Sequence, residues 1–412
     1  MTDFDVFIIG GGASGLMAAY QAGSRGLRVA VADGNEKLAR KVRITGKGRC
    51  NLTNSCSVKE FLENVPHGGK FLFSAINRFP PEAAVSFFEG HGLKTKVERG
   101  NRVFPESDNA NDVADLLARI CRANNVTFIR ERVKSLFKAE NGLFYVKTAR
   151  GEYSSSNAVI ATGGMSYPLT GSDGLGYELA KKLGHSVIAP RPSLVPLNSP
   201  DGFCAELQGF SLKDIKLTAY KNDKVIFKDI GEMLFTHFGV SGPLVLSASV
   251  FMDDFAANSY RLELDLKTAL DEQKLDDKII KILAENSNKT LGNIMPSIIG
   301  KSLSPVVLRL TGVSPDIKAN SLTRGDREKI VCILKKFPVK ITSARPVDEA
   351  IVTSGGIDIK EINPRTMESK LIPGLYFAGE VIDVDAFTGG FNLQIAWATG
   401  YVAGNSVNVL EE

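Results

Sequence analysis

Gly10, Gly12 and Gly15 form a G-x-G-x-x-G turn between an apolar run, Val6-Phe7-Ile8-Ile9, and a stretch of small and apolar residues from Leu16 to Arg25. This order of strand, glycine turn and helix restricts the chain more than any other feature. The first glycine permits the tight turn, the second admits a pyrophosphate against the backbone, and the third lets helix and strand approach closely. The helix start then offers unpaired N–H groups and the positive end of its dipole to phosphate. Gly26 ends the helix, and Arg28-Val29-Ala30-Val31-Ala32-Asp33 reads as a second buried strand tipped by a carboxylate. Asp33 is placed to accept hydrogen bonds from the ribose hydroxyls of an adenosine. An isolated glycine motif is often only a tight turn. Strand, helix and acid in register make a dinucleotide site the stronger reading.

At 412 residues the chain exceeds one ordinary core, so two or three domains are expected. Its 43% hydrophobic and 23% charged content excludes a disordered or fibrous chain. No apolar run approaches the ~20 residues of a membrane span, and the N-terminus lacks a basic leader, which predicts a cytoplasmic protein with no membrane partner. Five scattered cysteines, Cys50, Cys56, Cys121, Cys204 and Cys332, do not resemble a disulfide framework. The histidines His67, His91 and His185 show no ligand spacing and no Cys/His cluster is present, so no metal is expected. A net charge of +4 with a basic run from Lys37 to Arg49 allows RNA but does not require it.

Residues 34–56 read as a glycine-rich polar stretch, 80–92 and 108–124 as helices, and 126–160 as strand, hairpin and strand. From Arg191 short strand-like segments with turn signals follow, then helical patterns such as Asp277 to Leu283 and Gly325 to Val331. The expected domains are a discontinuous dinucleotide-binding domain of 1–190 and 346–412, an inserted β-barrel-like domain of 191–266 and 338–345, and a helical subdomain of 267–337.

Two later segments favour FAD over NAD. Asn157-Ala158-Val159-Ile160-Ala161-Thr162-Gly163-Gly164 and Pro373-Gly374-Leu375-Tyr376-Phe377-Ala378-Gly379-Glu380 resemble the strand ends of two-dinucleotide-binding flavoproteins. In that resemblance Ala161, Thr162 and Gly163 lie near the adenosine and pyrophosphate, while Gly379 and Glu380 meet the ribitol. Gly389-Gly390-Phe391-Asn392 opens the closing helix, where backbone N–H groups would approach the flavin pyrimidine edge and stabilise negative charge on the reduced ring. Asp383 and Asp385 lie between; each is a turn or capping residue or, for Asp385, a cofactor contact.

Thr45-Gly46-Lys47-Gly48-Arg49-Cys50-Asn51-Leu52-Thr53-Asn54, Met165-Ser166-Tyr167-Pro168, Pro192-Ser193-Leu194-Val195-Pro196-Leu197 and Thr366-Met367-Glu368-Ser369-Lys370 complete a pattern similar to the BaiN/YhiN-like (aminoacetone oxidase type) bacterial FAD-dependent oxidoreductases. The resemblance spans the chain in order. It implies an α/β fold, with a Rossmann-like FAD-binding domain of the two-dinucleotide-binding type and an inserted β-barrel plus a small helical domain. It adds Ala13, Ser14, Lys41, Gly48, Arg49, Cys50, Asn51 and Val133 to the cofactor contacts. Members of this family act as aminoacetone oxidase, as reductases of conjugated double bonds in oxo-bile acids, and as ribosomal RNA dihydrouridine synthase, all by hydride chemistry at flavin N5.

The catalytic candidates are Arg49 and Cys50 in the glycine-rich loop, and Tyr167 and His237 as proton donors. Cys50 and Cys56 invite a disulfide-reductase reading, but their spacing is one residue longer than in those enzymes, and a buried structural thiol at Cys50 explains it better. His237, in Thr236-His237-Phe238-Gly239, is more often a satisfied structural group than a proton donor. The expected activity is reduction of an unsaturated small molecule with NADH or NADPH as transient electron donor, or oxidation of one with O2. A uridine reductase acting on ribosomal RNA is the alternative, and it predicts a basic surface from Lys37, Arg40, Lys41, Arg43, Lys47 and Arg49. A flavin-binding protein without turnover is the third reading.

Overall fold

The computed structural model describes residues 2–408. They divide into two compact units: the described residues up to Ser193 and from Pro346 onward, and Leu194–Arg345. No helix among the described residues is long and apolar enough to cross a membrane.

The first unit is built on a parallel sheet in which Thr127–Ile129, Val29–Ala32, Phe4–Ile9, Glu152–Ile160 and Leu375–Phe377 lie side by side in that order. Val6, Phe7, Ile8, Val31, Val159 and Phe377 are fully buried. Both faces of these strands are covered, which is why they read as continuous apolar runs rather than alternating ones. The long strand Glu152–Ile160 also pairs antiparallel with Phe144–Lys147, which pairs with Ser135–Lys138.

Two helices made of small residues meet on this sheet. Ala13–Ser24 follows the glycine turn and Phe391–Ser406 closes the chain. A Cβ at Gly400 would lie 2.3 Å from the carbonyl of Ser14, and one at Gly404 would lie 2.4 Å from that of Ala18. The helices therefore touch backbone to backbone, a contact that any larger residue at either glycine would wedge apart. The helices Pro81–Gly90 and Ala110–Ala123 occur where the periodicity placed them.

The polar stretch 34–56 is not an open loop. Residues 40–44 are helical and bury Val42, and Thr45, Gly46 and Lys47 then break the helix with non-helical dihedrals. The glycines of this stretch hid the short helix. Further on, Val187–Ser193 pairs antiparallel with Val352–Ile357, so both strands belong to the first unit.

In the second unit a seven-stranded sheet runs Phe337–Ile341, Tyr260–Asp265, Ser211–Lys221, Lys224–Thr236, Gly239–Ser241, Leu197–Asn198 and Ser343–Ala344. Its first and last members are separated only by Thr342 in the chain, so the ladder of hydrogen bonds returns to its start as in a barrel, which leaves no long open edge. Helices Glu272–Glu285, Leu291–Ile299, Leu303–Thr311 and Arg324–Lys335 fall between Tyr260–Asp265 and Phe337–Ile341. Asp271 and Thr323 cap the first and last of these by accepting from the N–H groups of Lys274 and Asp326.

Candidate functional site

The glycine turn is set by contacts that tolerate no side chain. Gly10 has φ of 107°, and a Cβ there would lie 2.4 Å from the carbonyl of Ala161; a Cβ at Gly15 would lie 1.9 Å from the carbonyl of Gly10. A Cβ at Gly12 would meet nothing within 4 Å. The helix Ala13–Ser24 has no side-chain cap at its N-terminus. Two glycines therefore close the turn against neighbouring backbone, and Gly12 faces open space beside uncapped N–H groups, a geometry that suits an anion.

Asp33 stands at the end of the second strand. Gly11 N–H donates to its Oδ2 at 2.8 Å, and Asn35 donates to its Oδ1 from both backbone and side chain, at 2.8 and 2.9 Å. These bonds hold the carboxylate in one orientation beside a cavity of about 590 Å³ lined also by Asn35, Lys37, Arg43, Phe128 and Ile129. Val133, next to Arg132, is buried, and the Cβ of Arg132 would lie 3.2 Å from a Cβ at Gly34, so this segment passes the tip of the Asp33 strand.

A second cluster forms around Glu380. Its Oε2 accepts from Lys41 Nζ at 2.7 Å, and its Oε1 accepts from Thr353 N–H at 2.8 Å and from Ser166 Oγ at 3.0 Å. Lys41 Nζ is also 2.6 Å from Ser166 Oγ and 5.9 Å from the centre of the Tyr167 ring. Ser166 and Thr353 went unnoticed in the sequence. Ser166 sat inside a quoted motif, whereas Thr353 had no signal of its own.

The closing helix starts at Gly390 with φ of 100° and no side-chain cap. A Cβ at Gly390 would lie 2.4 Å from the carbonyl of Thr53 and 2.9 Å from Asn51 Oδ1, which brings the Cys50–Asn54 segment against this helix end. Asn54 Nδ2 donates to the carbonyl of Gly389 at 3.1 Å. Asn392 uses its amide within the protein, accepting from Ala386 N–H and donating to the Ala386 carbonyl. Asp385 is fully buried between Ser193 Oγ at 2.6 Å and His67 Nδ1 at 2.8 Å. Asp383 is held above the usual carboxylate range by burial and by the neighbouring Asp385, an effect that His67 partly offsets.

The catalytic candidates fare differently. Arg49 is held by Glu98 and Asp108 and lies over Phe104, 4.2 Å from the ring centre. Its guanidinium is raised further above its ordinary value, chiefly by the bond to Glu98 and then by Asp108. Cys50 is buried, and burial pushes its thiol up to about 12 against a hydrogen bond from Thr45, so the thiol stays protonated. Cys56 is a separate free thiol. Tyr167 adopts a left-handed backbone at the start of a short helical turn. His237 is exposed in the second unit, its ring against Phe238. Of the basic residues expected to form one surface, Lys41, Arg43 and Arg49 are each paired with carboxylates. No group of three His, Cys, Asp or Glu among the described residues could hold a metal.

The first unit fits a bound dinucleotide by two further features. Asn51 Oδ1 and Thr162 Oγ1 are buried with no hydrogen-bond partner among the described residues, although buried polar atoms are normally paired. Asn51 lies at the Gly390 helix end. Thr162 Oγ1 is packed closely enough that a Cβ at Gly176 would lie 2.1 Å from it.

The family described as HI0933-like protein Rossmann domain matches residues 4–406. The ribosomal RNA dihydrouridine synthase of Escherichia coli (strain K12) is 33% identical over 405 residues, 97% of each chain. The 3-dehydro-bile acid delta(4,6)-reductase of Clostridium scindens is 31% identical over 407 residues, 97% of this chain and 98% of the relative. The solved structure of 3-ketosteroid-delta4-(5alpha)-dehydrogenase from Rhodococcus jostii RHA1 in complex with 4-androstene-3,17-dione shares the fold, with a TM-score of 0.55, 14% identity, and coverage of 99% of this chain and 97% of that one. By the family match and these relatives, the chain belongs to the HI0933-like Rossmann-domain family of FAD-dependent oxidoreductases.

Proposed function

We propose that this protein reduces a conjugated carbon–carbon double bond of a small molecule on bound FAD, with NADH or NADPH as the transient electron donor. The observation that carries this reading is the pair of uncapped helix starts on one Rossmann frame, at Gly12 and at Gly390, flanked by the unpartnered Asn51 Oδ1 and Thr162 Oγ1. In this reading the N–H groups of Gly12, Ala13, Ser14 and Gly15 hold the pyrophosphate and Asp33 holds the adenosine ribose, with Val133 and Ala161 to Gly163 beside them. Lys41, Gly379 and Glu380 meet the ribitol. Gly48 to Asn51, Asp385 and Gly389 to Asn392 surround the ring system. Bound FAD would supply the hydride; the chain orients it, excludes water and manages protons.

The names of the two relatives support the direction. A dihydrouridine synthase and a delta(4,6)-reductase both add hydrogen across a double bond. The Escherichia coli relative keeps uridine in RNA as a second reading of the same chemistry, while the pairing of Lys41, Arg43 and Arg49 with carboxylates weakens the basic surface that RNA would need.

The test is to purify the protein, measure bound flavin, and mix it anaerobically with NADH or NADPH while following absorbance near ~450 nm. Rapid bleaching followed by recovery with a conjugated enone such as 2-cyclohexen-1-one is the expected result. Bound flavin that neither nucleotide reduces would replace this reading with an oxidase or a binding protein.

A further inference from the structure

His67 lies in the turn between helices Val58–Glu63 and Gly69–Arg78. Its backbone forms an isolated antiparallel bridge with Asp385, and its Nδ1 is 2.8 Å from Asp385 Oδ1. The carboxylate is fully buried, and its other oxygen accepts from Ser193 Oγ at 2.6 Å. With Ser193 donating to one carboxyl oxygen, the imidazole is placed to donate to the other, which puts its proton on Nδ1. Nε2 is then the basic nitrogen. It has no hydrogen-bond partner among the described residues, and the side chain is 33% exposed.

The molecule contains a second assembly of a histidine, a carboxylate and a serine that serves as a contrast. His185 Nδ1 is 3.0 Å from Glu361 Oε2, and its Nε2 is 3.0 Å from Ser369 Oγ. Ser369 Oγ already accepts from the N–H groups of Leu371 and Ile372, so its proton goes to His185 Nε2. Both nitrogens of His185 are consumed and its side chain is fully buried. That arrangement is a clasp. At His67 one nitrogen is fixed by a buried carboxyl group and the other has no partner among the described residues, on a side chain that is one-third exposed, as a proton carrier requires.

Its segment is tied to the start of the closing helix. Asp385 lies in the segment that leads into Gly389 and Gly390. Phe387 N–H donates to the carbonyl of Asn64 and Asn54 Nδ2 to that of Gly389, so the segments around His67 and around the closing helix start are held together at several points. Asp385 is in direct contact with the imidazole, and Asp383 lies near enough to interact with it electrostatically.

We infer that His67 is the proton-transfer residue of the candidate flavin site, with Asp385 and Ser193 as its positioning residues. The inference rests on the reading under Proposed function. Reduction of a double bond needs a hydride at one carbon and a proton at the other. Bound FAD, reduced by a nicotinamide donor, would supply the hydride with its electron pair. The proton leaves Nε2 of the His67 imidazolium, and the neutral ring regains one from solvent at its exposed edge. Asp385 holds the ring in place through its bond to Nδ1.

The test measures FAD occupancy and the pH dependence of the flavin midpoint potential in the wild type, His67→Gln and Asp385→Asn. Nitrogen NMR of the wild-type histidines is recorded with the flavin oxidised and then reduced by dithionite. The expected results are full FAD occupancy in His67→Gln, loss of one redox-linked proton from its potential–pH curve, and a wild-type Nε2 signal that shifts toward imidazolium on reduction. Recovery of the reduced flavin with 2-cyclohexen-1-one should slow by about 100-fold in His67→Gln. FAD-loaded wild type and His67→Gln with superimposable potential–pH curves, or a His67 signal indifferent to redox state, would overturn the inference while leaving the flavoprotein reading intact. Wild-type protein that retains no FAD would overturn both.

Discussion

The ammonium of Lys41 lies 2.7 Å from the carboxylate of Glu380, two residues 339 positions apart in the chain. Each side chain is about one-fifth exposed. The pair ties the helical turn after the glycine motif to the end of the last strand of the parallel sheet. Glu380 is thereby fixed from three sides before any ligand arrives, since Thr353 N–H and Ser166 Oγ hold its other oxygen.

Lys41→Met removes one arm of this cluster and leaves Glu380 without its counter-charge. Charge-assisted bonds of this kind contribute about 1.5–3 kcal/mol, so urea unfolding of the flavin-free protein should show a loss in that range. A loss below about 0.5 kcal/mol would mean that the pair does not hold the two segments together.

Gly12 and Gly15 should separate binding from folding. A Cβ at Gly12 meets nothing within 4 Å, so Gly12→Ala should fold with stability within about 0.5 kcal/mol of wild type yet bind FAD at least ~10-fold more weakly. At Gly15 the Cβ would sit 1.9 Å from the carbonyl of Gly10, and Gly15→Ala should cost about 3 kcal/mol or more. Thermal unfolding together with flavin fluorescence of the released fraction reads both.

Asp33→Ala and Glu380→Ala should each weaken FAD retention by at least ~10-fold, equivalent to about 1.4 kcal/mol. Both mutants emerging from gel filtration with full flavin occupancy would mean that the ribose and ribitol assignments are wrong.

The His185 clasp predicts acid sensitivity. Burial lowers the pKa of His185, with Glu361 partly offsetting it, so the folded-state value lies below the ordinary ~6.5 of histidine. As pH falls through that value the unfolded chain takes up the proton first. The stability of the neutral clasp is therefore fully present above about pH 6.5 and is lost as pH falls below it. Glu361, held below the usual carboxylate range by its bonds to Ser186 and His185 against the cost of burial, adds a loss in the same direction at lower pH. Urea midpoints between about pH 8 and about pH 5 should fall more steeply for wild type than for His185→Gln.

Cysteine labelling tests the thiol assignment. Cys332 is exposed and should react rapidly with a maleimide in the native protein, whereas Cys50, fully buried and pushed up to about 12, should react only after unfolding. Native-state labelling of Cys50 at the rate of Cys332 would restore it as a reactive centre.

The parts of the molecule that could be read from sequence are those specified by local sterics. The Gly10 turn, the apolar Val6 to Ile9 run and the carboxylate ending the next strand all lie within a few dozen residues, and each uses a backbone preference that its residue type carries anywhere. Helix Ala110–Ala123 announces itself by spacing, burying Val113, Ala114, Leu117 and Cys121 on one face. The helical turn at residues 40–44 was concealed because the glycines after it read as loop. The residues of the site were harder. Arg49 looked available to a cofactor, yet the chain folds Glu98 and Asp108 onto it. His67 carried no spacing signal, because its partner is 318 residues away.

By itself, the sequence determined where the backbone turns, which strands are buried on both faces, and that the first helix starts at a glycine turn. These follow from glycine dihedrals and hydrophobic periodicity, which act over a few residues. Only the tertiary structure decided which polar groups meet: Lys41 with Glu380, Asp385 between Ser193 and His67, Arg49 with Asp108. A hydrogen bond demands that donor and acceptor come within about 3 Å, and for groups hundreds of positions apart that distance is set by the strand order and packing of the whole sheet, which no local pattern encodes.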